Sequence, residues 1–574
     1  MIRKPIWRIQ SPPTPEAGSR LKGYSPIQQA LLLSRNISTT KDAEVFLSSD
    51  HPIFHDPFIM RDMEQAVETI LGKIQEGKKI CIYADYDADG ITAASLLTRF
   101  FQDNDNEIDV YFPDRFREGY GLNVSAIQRL SDQGVSLLIT VDCGIRGVAE
   151  IQEARELGMD VIVTDHHLPG DQLPPASSTI NPNQPGDNYP FKGLAGVGIA
   201  YKLAHALSLA KKSSAGMEVY QDLVAIGTVA DMVPLLGENR HLVQQGLLRL
   251  NEASCPGLEA LMNVSGIQPG NITASTIGFS LGPRINASGR LASAVHAFEL
   301  LIEDNHEHAQ ALAEKLDRLN KERQRYTNDV IVKVKEQNPS PSEKVILSFD
   351  PEYHQGVVGL AASRVTDEYF RPAIIGTVGE NETRASARSI PGFNITEALE
   401  EISELLVRFG GHEAAAGFTL DNKNRERFID RILDVANKCI DEDILSPSIK
   451  IDACIGFDSI TPELMRFLNE LEPFGSENNQ PIFCASDVKL LANRSVGHDA
   501  SHLKMTLESG GKPFDAIAFR KGELAQRLPD RVDIAFHVER NNYLGYETLQ
   551  LRVLDIREAN SLEDPALTQW IQLD

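Results

Sequence analysis

Cysteine is scarce in this chain. Cys81, Cys143, Cys255, Cys439, Cys454 and Cys484 are scattered singly over 574 positions, and none stands in a Cys-x-x-Cys pair. That spacing argues against a zinc site or a disulfide frame and predicts reduced thiols. Long apolar runs are also missing: none reaches the roughly 18 residues that a membrane-spanning helix needs. The opening residues, Met1-Ile2-Arg3-Lys4-Pro5-Ile6-Trp7-Arg8, are too polar for an export signal, so a cytoplasmic location is expected. Positive charge is in deficit too, with 56 Lys and Arg against 81 Asp and Glu, a net charge of −25. Phosphate neutralisation needs cations, which argues against a broad nucleic-acid-binding surface and leaves a narrow track.

The chain is too long for one core, so several domains are expected. Residues 1–55 mix a Pro-rich linker with short helical stretches and read as an arm packing on the next domain. Residues 56–300 begin with alternating strand and helix: strands at 79–84, 107–112, 135–141 and 160–164, helices at 63–76, 92–102, 123–133 and 147–158. Near-continuous apolar strands in repeated βαβ units predict a parallel sheet covered on both faces. Further helices follow, from about 193 to 210 and from 219 to 229. Residues 301–340 read as one long helix bridging two lobes, with Ala309, Leu312, Leu316 and Leu319 at helical spacing. Residues 341–445 begin a new α/β pattern. Residues 446–574 return to short strands with turn signals, a small β-barrel or sandwich.

The most informative stretch is Asp85-Tyr86-Asp87-Ala88-Asp89-Gly90, at the end of an apolar strand. Three carboxylates there repel one another and are costly to desolvate, which points to a divalent cation. Other strand and helix ends add Asp142, then Asp165, His166 and His167, then Asp231. Carboxylates with one or two imidazoles suit Mn²⁺ or Mg²⁺. The surplus of carboxylates predicts two ions about 3.5–4 Å apart sharing one carboxylate, as in phosphoester hydrolysis.

Asp-Tyr-Asp-Ala-Asp-Gly at 85–90, Val-Asp-Cys-Gly at 141–144, Thr-Asp-His-His at 164–167 and Ala-Asp-Met-Val-Pro-Leu at 230–235 resemble the motifs of the DHH phosphoesterase superfamily. The segments Gly282-Pro283-Arg284-Ile285-Asn286-Ala287-Ser288-Gly289-Arg290 and Gly410-Gly411-His412-Glu413-Ala414-Ala415-Ala416-Gly417 resemble its RecJ branch, and the motifs come in RecJ order over nearly the whole chain. The resemblance implies a DHH parallel-sheet domain, a linking helix, a DHHA1-type α/β domain and a C-terminal OB-like barrel. It implies Asp85, Asp87, Asp89, Asp142, His166 and Asp231 as metal ligands, with Asp142 the bridge, and Asp89, Asp142, His166 and His167 as the catalytic set. Compact relatives carry a histidine where this chain has Tyr83, and Asp85 stands in for that ligand or supports Asp87 and Asp89. Asp165 is expected to hold a neighbouring histidine rather than a metal.

The activity implied is 5′-to-3′ exonucleolytic hydrolysis of single-stranded DNA in recombination and repair. Arg384, Ser386 and Arg388 alternate and so share one strand face, which suits phosphate contacts. The resemblance places Ser386 and Arg388 at a 5′-terminal phosphate, with Arg115 and Arg117 at the same end. Arg284 and Arg290 flank Asn286, and all three are expected on substrate. His354 and the turn around His412 are expected in the lobe that closes over the nucleotide, His354 on substrate; His412 contacts substrate, completes the cleft or is a packed histidine. Phe474, Phe483, Phe519 and Tyr543 are stacking candidates in the barrel, with core packing as the alternative for each. A single-strand-binding protein and a helicase are the implied partners, a nucleoid association and a monomer the expectation. The competing readings are a DHH enzyme for dinucleotides or pyrophosphate, and an inactive replication scaffold.

Overall fold

The computed structural model describes residues 4–48, 53–212, 216–252, 255–338, 343–543, 546–559 and 564–571. The first α/β unit is built on five parallel strands: β1 (Lys79–Ala84), β2 (Asp109–Tyr111), β3 (Val135–Val141), β4 (Asp160–Thr164) and β5 (Ser178–Ile180), in the order β2-β1-β3-β4-β5. Alternate residues of each strand enter different cores. Ile80, Ile82, Leu137, Ile139 and Ile162 join one cluster, while Cys81, Tyr83, Leu138, Val161 and Val163 join another. That is why the strands read as continuous apolar runs: both faces are covered by helices. The larger core holds α1 (Ala88–Gln102), α2 (Gly196–Ala210) and α3 (Gln221–Ala230).

Helix α4 (Gly282–Leu291) leads towards α5 (His306–Gln337), 32 residues and about 48 Å long at 1.5 Å per residue. The first half of α5 buries Ala309, Leu312, Ala313 and Leu316 in the larger core of the first unit. Its second half buries Val330, Ile331 and Val334 against Ile346, Val358 and Val365 of the next unit. The expected bridging helix is therefore anchored in both lobes by one apolar stripe. The second lobe has strands β6 (Ile346–Asp350), β7 (Ala373–Val378), β8 (Glu382–Arg388), β9 (Leu406–His412) and β10 (Ala415–Asp421), in the order β9-β10-β8-β7-β6, with helix α6 (Val358–Tyr369) after β6. The glycine-bounded segment around His412 is thus a hairpin of β9 and β10.

The C-terminal unit is a closed barrel of β11 (Phe483–Val496), β12 (His502–Ser509), β13 (Lys512–Ala518), β14 (Arg531–Tyr543) and β15 (Tyr546–Glu558); β11 pairs with both β12 and β14 to close the ring. Its strands reach 14 residues, longer than expected, because bulges bend them round without ending the pairing. The N-terminal arm does not pack mainly on the domain that follows it. Its strand Ile6–Ile9 pairs with Ser448–Ile451, and Trp7, Leu21 and Leu31 enter the barrel core. Trp7 Nε1 also donates to Asp555 Oδ2 (2.9 Å).

One cysteine expectation is overturned. Cys454 and Cys484 lie opposite each other on adjacent parallel strands and form a disulfide. Strand register, not sequence spacing, brings them together. Cys81, Cys143, Cys255 and Cys439 are free. No helix among the described residues is long and apolar enough to cross a membrane.

Candidate active site

Each acid or imidazole arrives through a backbone turn at the end of a regular element. Asp85 follows β1, and its N–H bonds to the Val141 carbonyl (3.3 Å). Asp87 caps α1, accepting at Oδ1 from the N–H groups of Asp89 (3.0 Å) and Gly90 (3.2 Å). The helix consequently starts at Ala88, a turn before the expected Thr92, and Asp89 projects from its first turn. Both Asp89 oxygens accept from the start of α2, from Gly196 N (2.6 Å) and Val197 N (2.8 Å). A helix N-terminus is a favourable place for an anion. Gly196 is needed there, since a Cβ on it would lie 2.6 Å from Asp142 Cβ.

Asp142 follows β3 in the left-handed conformation (φ 60°), strained for a non-glycine residue. Its Oδ1 lies 3.2 Å from His166 Nε2, which is also 3.6 Å from Asp231 Oδ2 at the end of α3 and 4.0 Å from Asp89 Oδ2. Three triads result, each offering ligand atoms within 4.8 Å of one another: Asp85, Asp87 and Asp142; Asp89, His166 and Asp231; Asp142, His166 and His167. Asp142 and His166 each belong to two of them, and Asp142 alone links the Asp85–Asp87 pair to the imidazoles. Asp165 acts on His167 as expected. Its Oδ1 accepts from His167 Nδ1 (2.7 Å) and His167 N (3.0 Å), and its Oδ2 from Ile145 N (2.9 Å).

The centre is built for cations. Burial, and then Asp87, pushes the Asp89 carboxyl up to about 7; burial, and then Asp89, pushes Asp231 up to about 9. Burial drives Asp85 and Asp142 well above the carboxylate range, reinforced by Asp87 and Asp89 respectively. Burial, with His167 adding to it, lowers His166 to about 4, leaving a neutral imidazole. Asp85 Oδ1, Asp142 Oδ1 and His166 Nε2 are buried without a hydrogen-bond partner. Orphaned hard donors of this kind fit Mn²⁺ or Mg²⁺.

Next to this centre a cleft of about 330 Å³ opens between the two lobes, lined by Tyr86, Arg115 and Tyr120 on one side and by Gln355, Arg384 and Ser386 on the other. The β8 face is as expected: Arg384, Ser386 and Arg388 are half-buried and alternate with buried neighbours. Arg115 lies over the Tyr86 ring (5.0 Å). Arg290 is pushed down to about 10 by burial and by Arg115, with Asp87 acting in the opposite sense.

Other expected contacts have structural partners. Arg284 Nε and Nη2 reach Asp317 Oδ1 (3.1 and 3.0 Å), and its Nη1 reaches Ser280 O (2.9 Å), which ties α4 to α5. Asn286 Oδ1 accepts from Ala88 N (2.9 Å), so it steadies the acidic turn. Arg117 is exposed outside the cleft lining. His354 stacks on Tyr326 (5.3 Å, 3° between planes) and meets Phe116 edge-on (5.9 Å). Its Nδ1 accepts from Gly356 N (3.1 Å), so ring and nitrogen both have partners within the protein. His412 is exposed on the β9–β10 hairpin and donates from Nδ1 to Ala415 O (3.1 Å).

In the barrel, Phe483 is core, Phe474 is partly buried against that core and Phe519 is exposed. The Tyr543 side chain lies outside the described residues. The sequence reading missed Tyr120, Gln355 and Arg408 as cleft residues. Tyr120 carried a signal, since Gly119 and Gly121 flank it, both at positive φ (85° and 81°). Its hydroxyl lies 3.4 Å from His167 Nε2.

Carboxylates and imidazoles gathered at the carboxyl ends of a parallel sheet, facing a second α/β lobe, define a DHH phosphoesterase. The DHH family N-terminal domain matches residues 79–228, the DHHA1 domain residues 342–442 and the RecJ OB domain residues 451–555. The single-stranded-DNA-specific exonuclease RecJ of Bacillus subtilis is 38% identical, covering 100% of this chain and 72% of its own. The crystal structure of RecJ in complex with Mn²⁺ from Thermus thermophilus is 30% identical and superimposes with a TM-score of 0.85, covering 98% of this chain and 80% of that one. The Mg²⁺ complex of the same protein gives 0.80 at 28% identity over the same shares. The chain belongs to the RecJ family.

Proposed function

We propose that this chain is a cation-dependent exonuclease that hydrolyses phosphodiester bonds of single-stranded DNA from the 5′ end. The observation that carries the reading is the set of buried, unpartnered donors Asp85 Oδ1, Asp142 Oδ1 and His166 Nε2, beside a cleft lined by arginine. Asp85, Asp87, Asp89, Asp142, His166 and Asp231 would hold two divalent cations, with Asp142 shared. Bound there, the cations supply Lewis-acid polarisation of the phosphodiester and activation of water.

The chain's own residues do the rest. Asp165 orients the His167 ring through Nδ1. Asn286 fixes the turn that carries Asp87 and Asp89. Arg115 and Ser386 of the cleft wall, with Arg388 held beside them by Ser363 Oγ (3.1 Å), take the terminal phosphate, which sets the polarity, and Arg290 adds positive charge near Asp87. The arm (1–55) and barrel (446–574) hold the strand as one body, and the linking helix (301–340) fixes the spacing between the catalytic domain (56–300) and the second lobe (341–445). Recruitment by a single-strand-binding protein and a helicase, a monomeric state, and a cytoplasmic, nucleoid-associated location complete the proposal. An inactive scaffold has no need of the complete donor set, and a dinucleotide enzyme has no need of a barrel.

The test is digestion of 5′- and 3′-labelled single and double strands with Mn²⁺ or Mg²⁺. Mononucleotide release from the 5′ end of the single strand alone is expected. Equal attack on duplex, or release from the 3′ end, would refute the reading.

A further inference from the structure

We propose that Arg384 and Arg408 form a second anion subsite in the cleft, which takes the outer phosphates of a 5′-di- or triphosphorylated nucleoside. This rests on the strand-cutting reading above.

The cleft is lined by three guanidinium groups, Arg115, Arg384 and Arg408, and by no carboxylate, in a chain with 81 acidic residues. The direct contacts of these arginines are neutral. Arg384 Nη1 meets Gln355 Oε1 (3.4 Å), Arg408 Nε meets Thr419 Oγ1 (3.2 Å), and Arg115 covers the Tyr86 ring. Arg115 also faces the Asp85 carboxylate, whereas Arg384 and Arg408 have only neutral partners, and two such cations converging on one cavity suit a multiply charged anion.

Strand register orders the charges. Arg408 is opposite Thr419, and Thr419 is opposite Arg384, so the two arginines share one cross-strand row. Two residues along, about 7 Å away, the next row on the same face is Gly410, Gly417 and Ser386. A further two residues along stands Arg388, opposite Ala415. A terminal monophosphate at Ser386 and Arg388 leaves the Arg384–Arg408 row unused, and two glycines leave no side chain in between.

The opposite wall sets the direction. Tyr86 separates Asp85 from Asp87, and Tyr120 reaches His167, so a nucleoside lies on the metal side and a phosphate tail runs towards Arg408. The cleft volume falls at the lower end of small-ligand pockets, roughly 300–1,000 Å³. The same chemistry belongs to the 5′ end of a strand and to a free nucleoside triphosphate.

The test uses the full chain with Mn²⁺ in excess over nucleotide, and single strands carrying a 5′-monophosphate or a 5′-triphosphate. The native protein is expected to degrade both. Arg408→Gln is expected to slow the triphosphorylated strand about 10- to 100-fold, the factor for one charge-assisted hydrogen bond, and to slow the monophosphorylated strand far less. Arg408→Lys, which keeps the charge, should recover part of the loss, and equal melting temperatures exclude a folding defect. Calorimetric titration with free nucleoside tri- and monophosphate separates the two sources and reads the subsite even if no strand is cut.

Arg408-dependent preference for the free triphosphate, with the triphosphorylated strand refused, keeps the subsite and assigns it to free nucleotide. Refusal of that strand together with equal binding of mono- and triphosphate overturns the proposal, as does equal slowing of both strands by Arg408→Gln. A monophosphorylated strand left intact refutes the exonuclease reading instead.

Discussion

Replacing Asp165 by asparagine tests whether this carboxylate organises the imidazole half of the centre. The side chain is buried and accepts three hydrogen bonds, two from His167 and one from Ile145 N. Burial opposes its charge, yet the His167 contact holds its carboxyl below the ordinary value. Burial lowers the His167 imidazole, but the same hydrogen bond and charge leave it raised. An asparagine keeps one oxygen, which can still serve His167, but turns an NH₂ group towards the Ile145 N–H. One buried donor is then orphaned, at a cost of about 1–3 kcal/mol, and the charge assistance to His167 is lost, for about 2–4 kcal/mol together. That corresponds to a fall on the order of 5–10 °C in the melting of the catalytic domain. The weaker hold on His167 should also lower Mn²⁺ affinity or turnover roughly 10- to 100-fold. Scanning calorimetry and Mn²⁺ titration of Asp165→Asn measure both. A variant that melts within a degree of the native protein and binds Mn²⁺ as tightly would refute the reasoning.

Three further outcomes are expected. In chelator, stability should decline from pH 6.5 to 9: Asp89 and Asp231 are raised to about 7 and about 9, and a carboxyl whose folded value exceeds its unfolded one loses its stabilising contribution as pH rises through the folded value. His166 is already neutral in that window, excess Mn²⁺ should flatten the slope, and identical melting curves with and without cation would contradict this. Asp142→Asn should abolish strand cleavage yet raise the melting temperature of the cation-free protein, because it removes a buried carboxylate that the neighbouring Asp89 and Asp87 already oppose; a destabilised variant would show that the repulsion is compensated without cations. Gly196→Ala should cost at least about 1–3 kcal/mol by overpacking and impair cleavage, since the new Cβ would displace Asp142; a crystal structure with Asp142 unmoved would overturn the argument.

The regular elements were legible in the sequence wherever burial repeats with a simple period. β1, β3 and β4 have the limits their apolar runs predict, because strands buried on both faces admit almost nothing polar. The acid and imidazole residues were legible for the related reason that costly groups at strand ends need a ligand to offset them. The long helix was visible because one apolar stripe serves two cores.

Tertiary structure decided what depends on residues far apart in the chain. It joined the arm to the barrel through Trp7 and Asp555 and paired Cys454 with Cys484. It also spent Arg284 on Asp317 and Asn286 on Ala88, roles that no local pattern separates from phosphate binding. Arg408 gained its meaning only from the cross-strand row that places it beside Arg384. Sequence by itself determined which residues must be buried, charged or turned; register and domain packing decided which charges meet each other and which stay free to meet a ligand, because those pairings are set by contacts between distant segments.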